Sequence, residues 1–331
     1  MDNLIENRTE LFDRSIIESF PKFNPSGEHK KLFEAMRKDN LIIFFGAGVS
    51  LLAGCAGWDK MAYNLVDTFP NSICSELEKN ILKRIAISDQ MKVISICFQM
   101  AKGDENLLKD VYYQSIINSV KPESPELFSY IHNKILDLKA ISYVTTNIDK
   151  GLNSASSEKR RGRQIYDMTN DPEAAKSVNE IRNGNIFYLH GTIDHMDKAI
   201  LTLDNYCCHY NKKETIWFLR NIFSNDSTVL FIGYSLSDYE ILQNIFSATK
   251  NEDYQNKEAP KHFLLSPIFS KDLAEFNIMK SYFNILSIES IPYFIDYDGY
   301  SRLDYVLDLL KKIHIEYQPD TLNIYDAIEK V

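Results

Sequence analysis

Four short segments hold the residues whose types and spacing suit chemistry. They are Gly46-Ala47-Gly48-Val49-Ser50, Thr146-Asn147-Ile148-Asp149, His190-Gly191 and Gly233-Tyr234-Ser235-Leu236-Ser237-Asp238. The first follows a run of five apolar residues, 41–45. Gly46 and Gly48 let the backbone turn sharply and approach a ligand with no side chain in the way. Ser50 is placed to cap a following helix. A strand, a glycine turn and a helix start make an anion site, because N–H groups and the helix dipole point at one place. That dipole contributes about 0.3–1 kcal/mol per nearby charge, so it positions a phosphate rather than holding it unaided. Position 51 is Leu, so the loop is not the G-x-G-x-x-G dinucleotide fingerprint, and a plain tight turn is the competing reading. His190 offers an imidazole that titrates near neutrality, although taken alone it reads first as an ordinary satisfied histidine. Asn147, Asp149, Ser235 and Ser237 can each cap a helix or hold a ligand hydroxyl. Trp58 is a core anchor or a stacking platform.

The elements that must position these residues alternate. Short apolar strands are predicted at 41–45, 141–145, 186–189, 229–232 and 263–265, with further extended segments at 200–203 and 285–287. Helical periodicity marks Leu32, Phe33 and Met36, then Trp58, Met61, Leu65 and Val66. Ser124-Pro125-Glu126 starts another helix, with Ser as cap and Pro in the first turn. Helices are also expected at about 172–181, 215–223, 239–249, 271–283 and 301–313. Between 74 and 120 Leu77, Ile81, Ile85, Met91, Ile94 and Phe98 suggest several helices and no strand. This alternation predicts an α/β, Rossmann-like, mostly parallel sheet with helices on both faces and a helical insertion. The insertion is either a fixed lobe or a lid over the site. The expected organisation is an N-terminal helical extension over 1–40, one nucleotide-binding-type domain over 41–315 with the insertion at about 74–120, and a tail over 316–331. In such a sheet ligands bind outside the carboxyl ends of the strands, and all four chemical segments follow predicted strands.

Composition narrows the function classes. The chain has 331 residues, 44% hydrophobic and 25% charged, with a formal net charge of −9. That charge argues against direct nucleic-acid binding by the whole surface; the basic stretch Lys159-Arg160-Arg161-Gly162-Arg163 reads as a solvated loop. The five cysteines form no C-x-x-C pair, so a structural zinc is not expected. Their odd number and irregular spacing fit reduced thiols in a cytosol. Residues 1–6 carry neither a basic nor an apolar region, and no apolar run approaches a membrane span. A cytoplasmic protein without membrane contact is expected.

Taken in order, Gly-Ala-Gly-Val-Ser, Thr-Thr-Asn-Ile-Asp, Leu-His-Gly and Ile-Gly-Tyr-Ser-Leu-Ser-Asp resemble the sirtuin superfamily. The resemblance is greatest to the bacterial sirtuin-like proteins that degrade NAD during phage infection, and it covers roughly residues 38–315. It implies that Gly46, Ala47, Gly48 and Ser50 hold the NAD diphosphate. It places Asn147 and Asp149 beside the nicotinamide ribose and makes His190 the catalytic base. Gly233, Ser235 and Asp238 fall on the phosphate and adenosine side. Two features depart from sirtuin protein deacylases. The zinc cysteines are missing, and Ala53-Gly54-Cys55-Ala56-Gly57-Trp58-Asp59 stands where those enzymes carry Pro-Asp-Phe-Arg.

The residues suit the chemistry that the resemblance implies. The nicotinamide–ribose bond breaks through an oxocarbenium-like state, as in glycoside hydrolysis. Asn147 can orient a ribose hydroxyl or the water, Asp149 can hold the nicotinamide amide or oppose the developing positive charge, and His190 can take a proton from water or a ribose hydroxyl. The expectation is an NAD hydrolase that depletes NAD as the effector of a bacterial anti-phage defence system, killing or arresting the infected cell. NAD is then the substrate and no zinc is needed. Control is expected from homo-oligomer formation or from a partner ATPase of the HerA type encoded nearby. The alternatives are a catalytically silent NAD or ADP-ribose binding module and a sirtuin-type deacylase.

Overall fold

The computed structural model describes residues 14–155, 162–171, 178–223, 227–250 and 262–316. Seven strands occur among them: β1 (Leu41–Phe45), β2 (Ser142–Thr145), β3 (Ile165–Asp167), β4 (Asn185–Tyr188), β5 (Thr228–Ile232), β6 (His262–Ile268) and β7 (Ile288–Phe294). They form one sheet in the order β3-β4-β2-β1-β5-β6-β7. Every pairing is parallel. This is a Rossmann-like α/β fold. The strand order reverses at β1, with Ile43 opposite Tyr143 of β2 on one side and opposite Leu230 of β5 on the other.

The apolar run at 41–45 explains why β1 is central. All five residues are buried, which requires cover on both faces. Successive side chains of a strand point to opposite faces, and here they enter two cores. Ile43 and Phe45 pack with Leu32, Phe33, Ile135 and Val306, which come from the helices Lys30–Arg37, Pro125–Asp137 and Arg302–Glu316. Ile42 and Phe44 pack with Phe187, Phe218, Phe223 and Ile241 on the other face. The Ser124 cap is formed, its Oγ accepting from the Leu127 N–H at 3.3 Å.

The stretch 74–120 is helical throughout its regular structure, as its periodicity predicts. With the helix Trp58–Thr68 it builds a third core around Met61, Leu65, Val93, Ile94 and Tyr112. That core also takes in Ile148, Met196 and Leu201, so the helical lobe rests on the loops that leave β2 and β4. Two of the residues that mark its helical spacing, Leu77 and Ile81, are exposed. The helix Glu76–Ala86 instead buries Leu82 and Ala86, and its start is set by the Ser75–Glu78 capping box.

Other expectations are corrected. Residues 200–203 are not a strand. Ile200 and Leu201 are buried in irregular chain, and Thr202 caps the helix Leu203–Tyr210, its Oγ1 accepting from the Asn205 N–H at 3.3 Å. Residues 285–287 are not extended either: Ile285 ends the helix Leu273–Ile285, and the strand begins at Ile288. β7 reads Ile-Glu-Ser-Ile-Pro-Tyr-Phe, and its Glu and Pro hide it from an apolar-run search. Pro292 is tolerated because β7 is an edge strand. β3, three half-buried residues at the opposite edge, is likewise unannounced. Helix Val178–Ile181 covers the end of the one expected at 172–181; residues 172–177, the basic stretch 159–161 and the tail 317–331 lie outside the described residues.

Candidate active site

The loops after β1 and β5 meet backbone on backbone where the strand order reverses. Gly46 N–H donates to the Ile232 carbonyl at 3.1 Å, and Gly48 N–H donates to the Gly233 carbonyl at 2.9 Å. A Cβ on Gly48 would stand 2.8 Å from the Gly233 Cα. Gly233 itself has φ +58°, a left-handed conformation that costs glycine little. These contacts revise the expectation of a fan of free N–H groups. Those of Gly46 and Gly48 are taken by the last residue of β5 and the loop after it, and Val49 N–H donates to the Gly46 carbonyl at 3.1 Å. The glycines are needed first for close packing of the two loops. The next residues form a short helix, Ala47–Leu51, capped by Gly46. Ser50 is therefore inside the helix and not its cap.

Ser50 is the hub of a buried polar cluster. Its Oγ donates to Asp149 Oδ2 at 2.7 Å and accepts from Asn147 Nδ2 at 3.1 Å. Asn147 Nδ2 also donates to the Gly46 carbonyl at 3.2 Å, and Asp149 Oδ1 accepts from the Gly151 N–H at 2.9 Å. Asn147 and Asp149 are thus brought together with the glycine loop, as neighbours that brace it from behind.

A cavity of about 680 Å³ opens at the same crevice, a size suited to a cofactor-like ligand. Ala47, Gly48, Thr146, His190, Gly233, Ser235 and Asp238 line it, and Trp58, Gln90 and Met91 close it from the helical lobe. Asn147, Asp149, Gly46 and Ser50 are not among its lining residues. The charged residues that line it are Asp59 and Asp238, so an anionic ligand there has to be held by backbone and hydroxyl donors. Trp58 faces the cavity as well as the lobe's core. Ser235 Oγ lies 2.8 Å from Ser237 Oγ on the exposed lip.

His190 is 4% exposed. Its Nε2 lies 2.8 Å from Tyr210 Oη, and its Nδ1 is buried without a protein partner. Burial pushes its pKa down to about 3. His209 packs edge-on to it, ring centroids 6.4 Å apart, and burial, with the neighbouring His190 second, pushes it down to about 3 too. Asp238 is held by two tyrosines: Tyr206 Oη donates to its Oδ1 at 3.2 Å and Tyr234 Oη to its Oδ2. Burial raises the Asp238 pKa and those two hydrogen bonds pull it back.

Sequence reasoning missed Tyr206, His209, Tyr210 and Tyr234. Tyr206 and Tyr210 are i and i+4 on one helix face, a spacing visible once a helix is assigned to Leu203–Tyr210.

The two buried histidines make the protein acid-sensitive. Both are neutral in the folded chain above about pH 3, whereas an unfolded histidine binds a proton below about 6.5. Between those values the unfolded chain holds more protons, so stability falls as pH falls. Each histidine should cost about 2 kcal/mol by pH 5. The urea midpoint is expected to drop between pH 7 and pH 5, and His209→Gln to remove its share of the drop; a midpoint flat over that range would contradict the burial argument.

Comparison with known proteins agrees with this geometry. Residues 141–286, which run from β2 to the end of the helix Leu273–Ile285, match the family model described as a SIR2-like domain. The chain is 26% identical over 291 residues to defense-associated sirtuin 2 of Bacillus subtilis, covering 85% of this chain and 26% of that protein. It is 22% identical over 279 residues to the NAD(+) hydrolase ThsA of Bacillus cereus (strain MSX-D12), covering 78% and 54%. Over 316 residues it is 22% identical to the NAD(+) hydrolase ThsA of Enterococcus faecium, covering 89% and 59%. The chain therefore spans between about a quarter and three-fifths of these relatives' own length. Among the described residues no helix is long and apolar enough to cross a membrane.

Proposed function

We propose, from the SIR2-like domain at residues 141–286, that this chain hydrolyses NAD to nicotinamide and ADP-ribose as the effector of an anti-phage defence system. The observation that carries the reading is His190: an imidazole lining the cavity at the strand-order reversal, one nitrogen held and the other unpartnered. The printed names of the relatives, a defense-associated sirtuin and NAD(+) hydrolases, support it.

In this reading NAD lies across the crevice with its diphosphate near Ala47, Gly48 and Ser235. The C1′–N bond breaks and its electron pair stays on nicotinamide, which leaves neutral. Water adds to C1′ and gives up a proton, so the products are nicotinamide, ADP-ribose and one proton. His190 takes that proton, or first polarises a ribose hydroxyl, through its unpartnered nitrogen. A buried imidazole with so low a pKa is a weak base in the resting site. The substrate diphosphate brings negative charge close to it and raises the pKa. Asn147 and Asp149 act from behind the loop through Ser50, and their closer approach to the ribose requires them to exchange those partners. We assign the 41–315 stretch as the functional domain and the helical lobe as its cover. Regulation by self-assembly or by a HerA-type ATPase, and a cytoplasmic setting in which NAD loss arrests the infected cell, complete the proposal.

One observation favours a second reading, a silent NAD or ADP-ribose binding module: the Asn147 amide is already satisfied by Gly46 and Ser50. Nicotinamide release by the purified chain separates the two. Release that falls about 100-fold in Asn147→Ala, the scale on which a misplaced catalytic contact acts, supports the hydrolase. Tight binding of ADP-ribose with no release, before and after addition of infected-cell extract, supports the module.

A further inference from the structure

The turn that leaves β2 is pinned residue by residue, with one exception. Thr145 Oγ1 accepts from the Asn147 N–H at 3.0 Å, and the Thr145 carbonyl accepts from the Leu189 N–H at 2.8 Å. The Asn147 amide is committed to the Gly46 carbonyl and to Ser50. Ile148 puts its side chain into the core of the helical lobe, and its carbonyl accepts from the Ile193 N–H at 3.0 Å. Asp149 is committed to Ser50 and Gly151. Of the residues 145–149, Thr146 alone lines the cavity. It is 9% exposed. Among the described residues its hydroxyl makes no hydrogen bond, yet its oxygen is not sealed from solvent, and the solvent beside it is that of the cavity. A β-branched side chain has few rotamers, and the backbone on either side is held. Thr146 therefore presents a hydroxyl, with one proton and two lone pairs, fixed in place before a ligand arrives.

Its place in the sheet says what it meets. β2 lies between β1 and β4, and neighbouring strands are about 4.8 Å apart. The tip of β2 thus stands between Gly48 and His190, within a span of about 10 Å. With a diphosphate at Gly48 and the reacting carbon toward His190, the group between them is the ribose that joins the two. We propose that Thr146 Oγ1 contacts this nicotinamide-side ribose, accepting a hydrogen bond from one of its hydroxyls, and that Asn147 and Asp149 are positioning residues that hold Thr146 there. The assignment rests on the reading of the crevice as an NAD site; it does not depend on whether the ligand is hydrolysed.

The test compares Thr146→Val, which keeps the branched shape without the hydroxyl, with Thr146→Ser, which keeps the hydroxyl. Because that hydroxyl has no protein partner, the urea midpoint of Thr146→Val should equal or exceed the parent's, whereas Asn147→Ala breaks two buried hydrogen bonds and should lower it. ADP-ribose affinity, read by calorimetric titration, should weaken about 5- to 100-fold in Thr146→Val, the scale of leaving a buried hydrogen-bonding group unpaired. The kcat/KM for nicotinamide release should fall over the same range, and Thr146→Ser should recover most of both losses. With NAD lacking either the 2′- or the 3′-hydroxyl of that ribose, one of the two analogues should no longer distinguish Thr146→Val from the parent. Parent-like ADP-ribose affinity and parent-like release in Thr146→Val overturn the assignment and leave the hydrolase reading intact. A lowered midpoint in Thr146→Val also overturns it, because the hydroxyl would then be bonded within the protein. Weakened ADP-ribose binding that serine restores, in a parent that releases no nicotinamide, upholds the contact and fails the hydrolase reading. A parent that neither binds ADP-ribose nor releases nicotinamide overturns both.

Discussion

Replacing His190 by alanine is expected to cut nicotinamide release by about 10²–10⁴-fold, the span over which a positioned general base acts, while NAD affinity changes little. The basis is geometric. His190 is a titratable residue lining the cavity with a nitrogen free of protein partners, and it follows β4 and shares the cavity with Ala47 and Gly48 after β1 and Gly233 after β5. The residual rate should be measurable, because cationic nicotinamide is a good leaving group and orientation of the dinucleotide survives. The same substitution removes a buried imidazole whose pKa lies near 3, so the variant should also lose less stability than the parent between pH 7 and pH 5. Isothermal titration with NAD and urea unfolding at the two pH values check both parts. Full turnover in the variant would remove His190 from the mechanism.

Gly48→Ala is expected to destabilise the protein by about 3 kcal/mol, the upper range for overpacking, and to abolish ligand binding at the crevice. The new methyl group would stand 2.8 Å from both the Gly233 Cα and the Gly233 carbonyl oxygen. These are backbone atoms, so no side chain can swing away. Relief requires the two loops to separate, which breaks the Gly48 N–H to Gly233 bond and moves Ala47, Gly233 and Ser235 together. Gly103→Ala is the control. A Cβ there meets nothing within 4 Å, and its effect should be neutral or slightly stabilising. Urea midpoints of the two variants give the comparison; equal midpoints would show that the loops have slack the structure does not display.

The limits of sequence reading are clear at particular residues. The sheet was legible where strands are buried on both faces, because β1 is a run of five apolar residues and β2, β4 and β5 are fully buried strands built around Tyr143-Val144, Ile186-Phe187-Tyr188 and Val229-Leu230-Phe231-Ile232. It was hidden at the edges, where β3 is half-buried and β7 carries Glu289 and Pro292. Leu201 is buried by the helical lobe and Ile200 by the core on one face of the sheet, neither by sheet pairing, and an apolar pair alone does not distinguish these cases. Leu77 and Ile81 keep helical spacing but lie on the outer face, since periodicity locates a stripe without saying which stripe is covered.

The site divides along the same line. Residue type and position after a strand were sufficient to collect the glycine loop, Asn147, Asp149, His190 and Asp238 at the carboxyl edge of one parallel sheet, because strand direction carries every such loop to the same side. Which of them face the cavity depended on distances of a few ångströms that no local pattern encodes. Ser50, Asn147 and Asp149 satisfy one another behind the loop, since buried polar groups must find partners. Gly48 and Gly233 hold each other through a bond between residues far apart in the chain. The partner that holds His190 comes from a helix whose only local sign was a tyrosine pair four residues apart. A hydrogen-bond network is a property of three-dimensional neighbours, so the sequence by itself determined the fold's frame and the candidate groups, and the tertiary structure decided their roles.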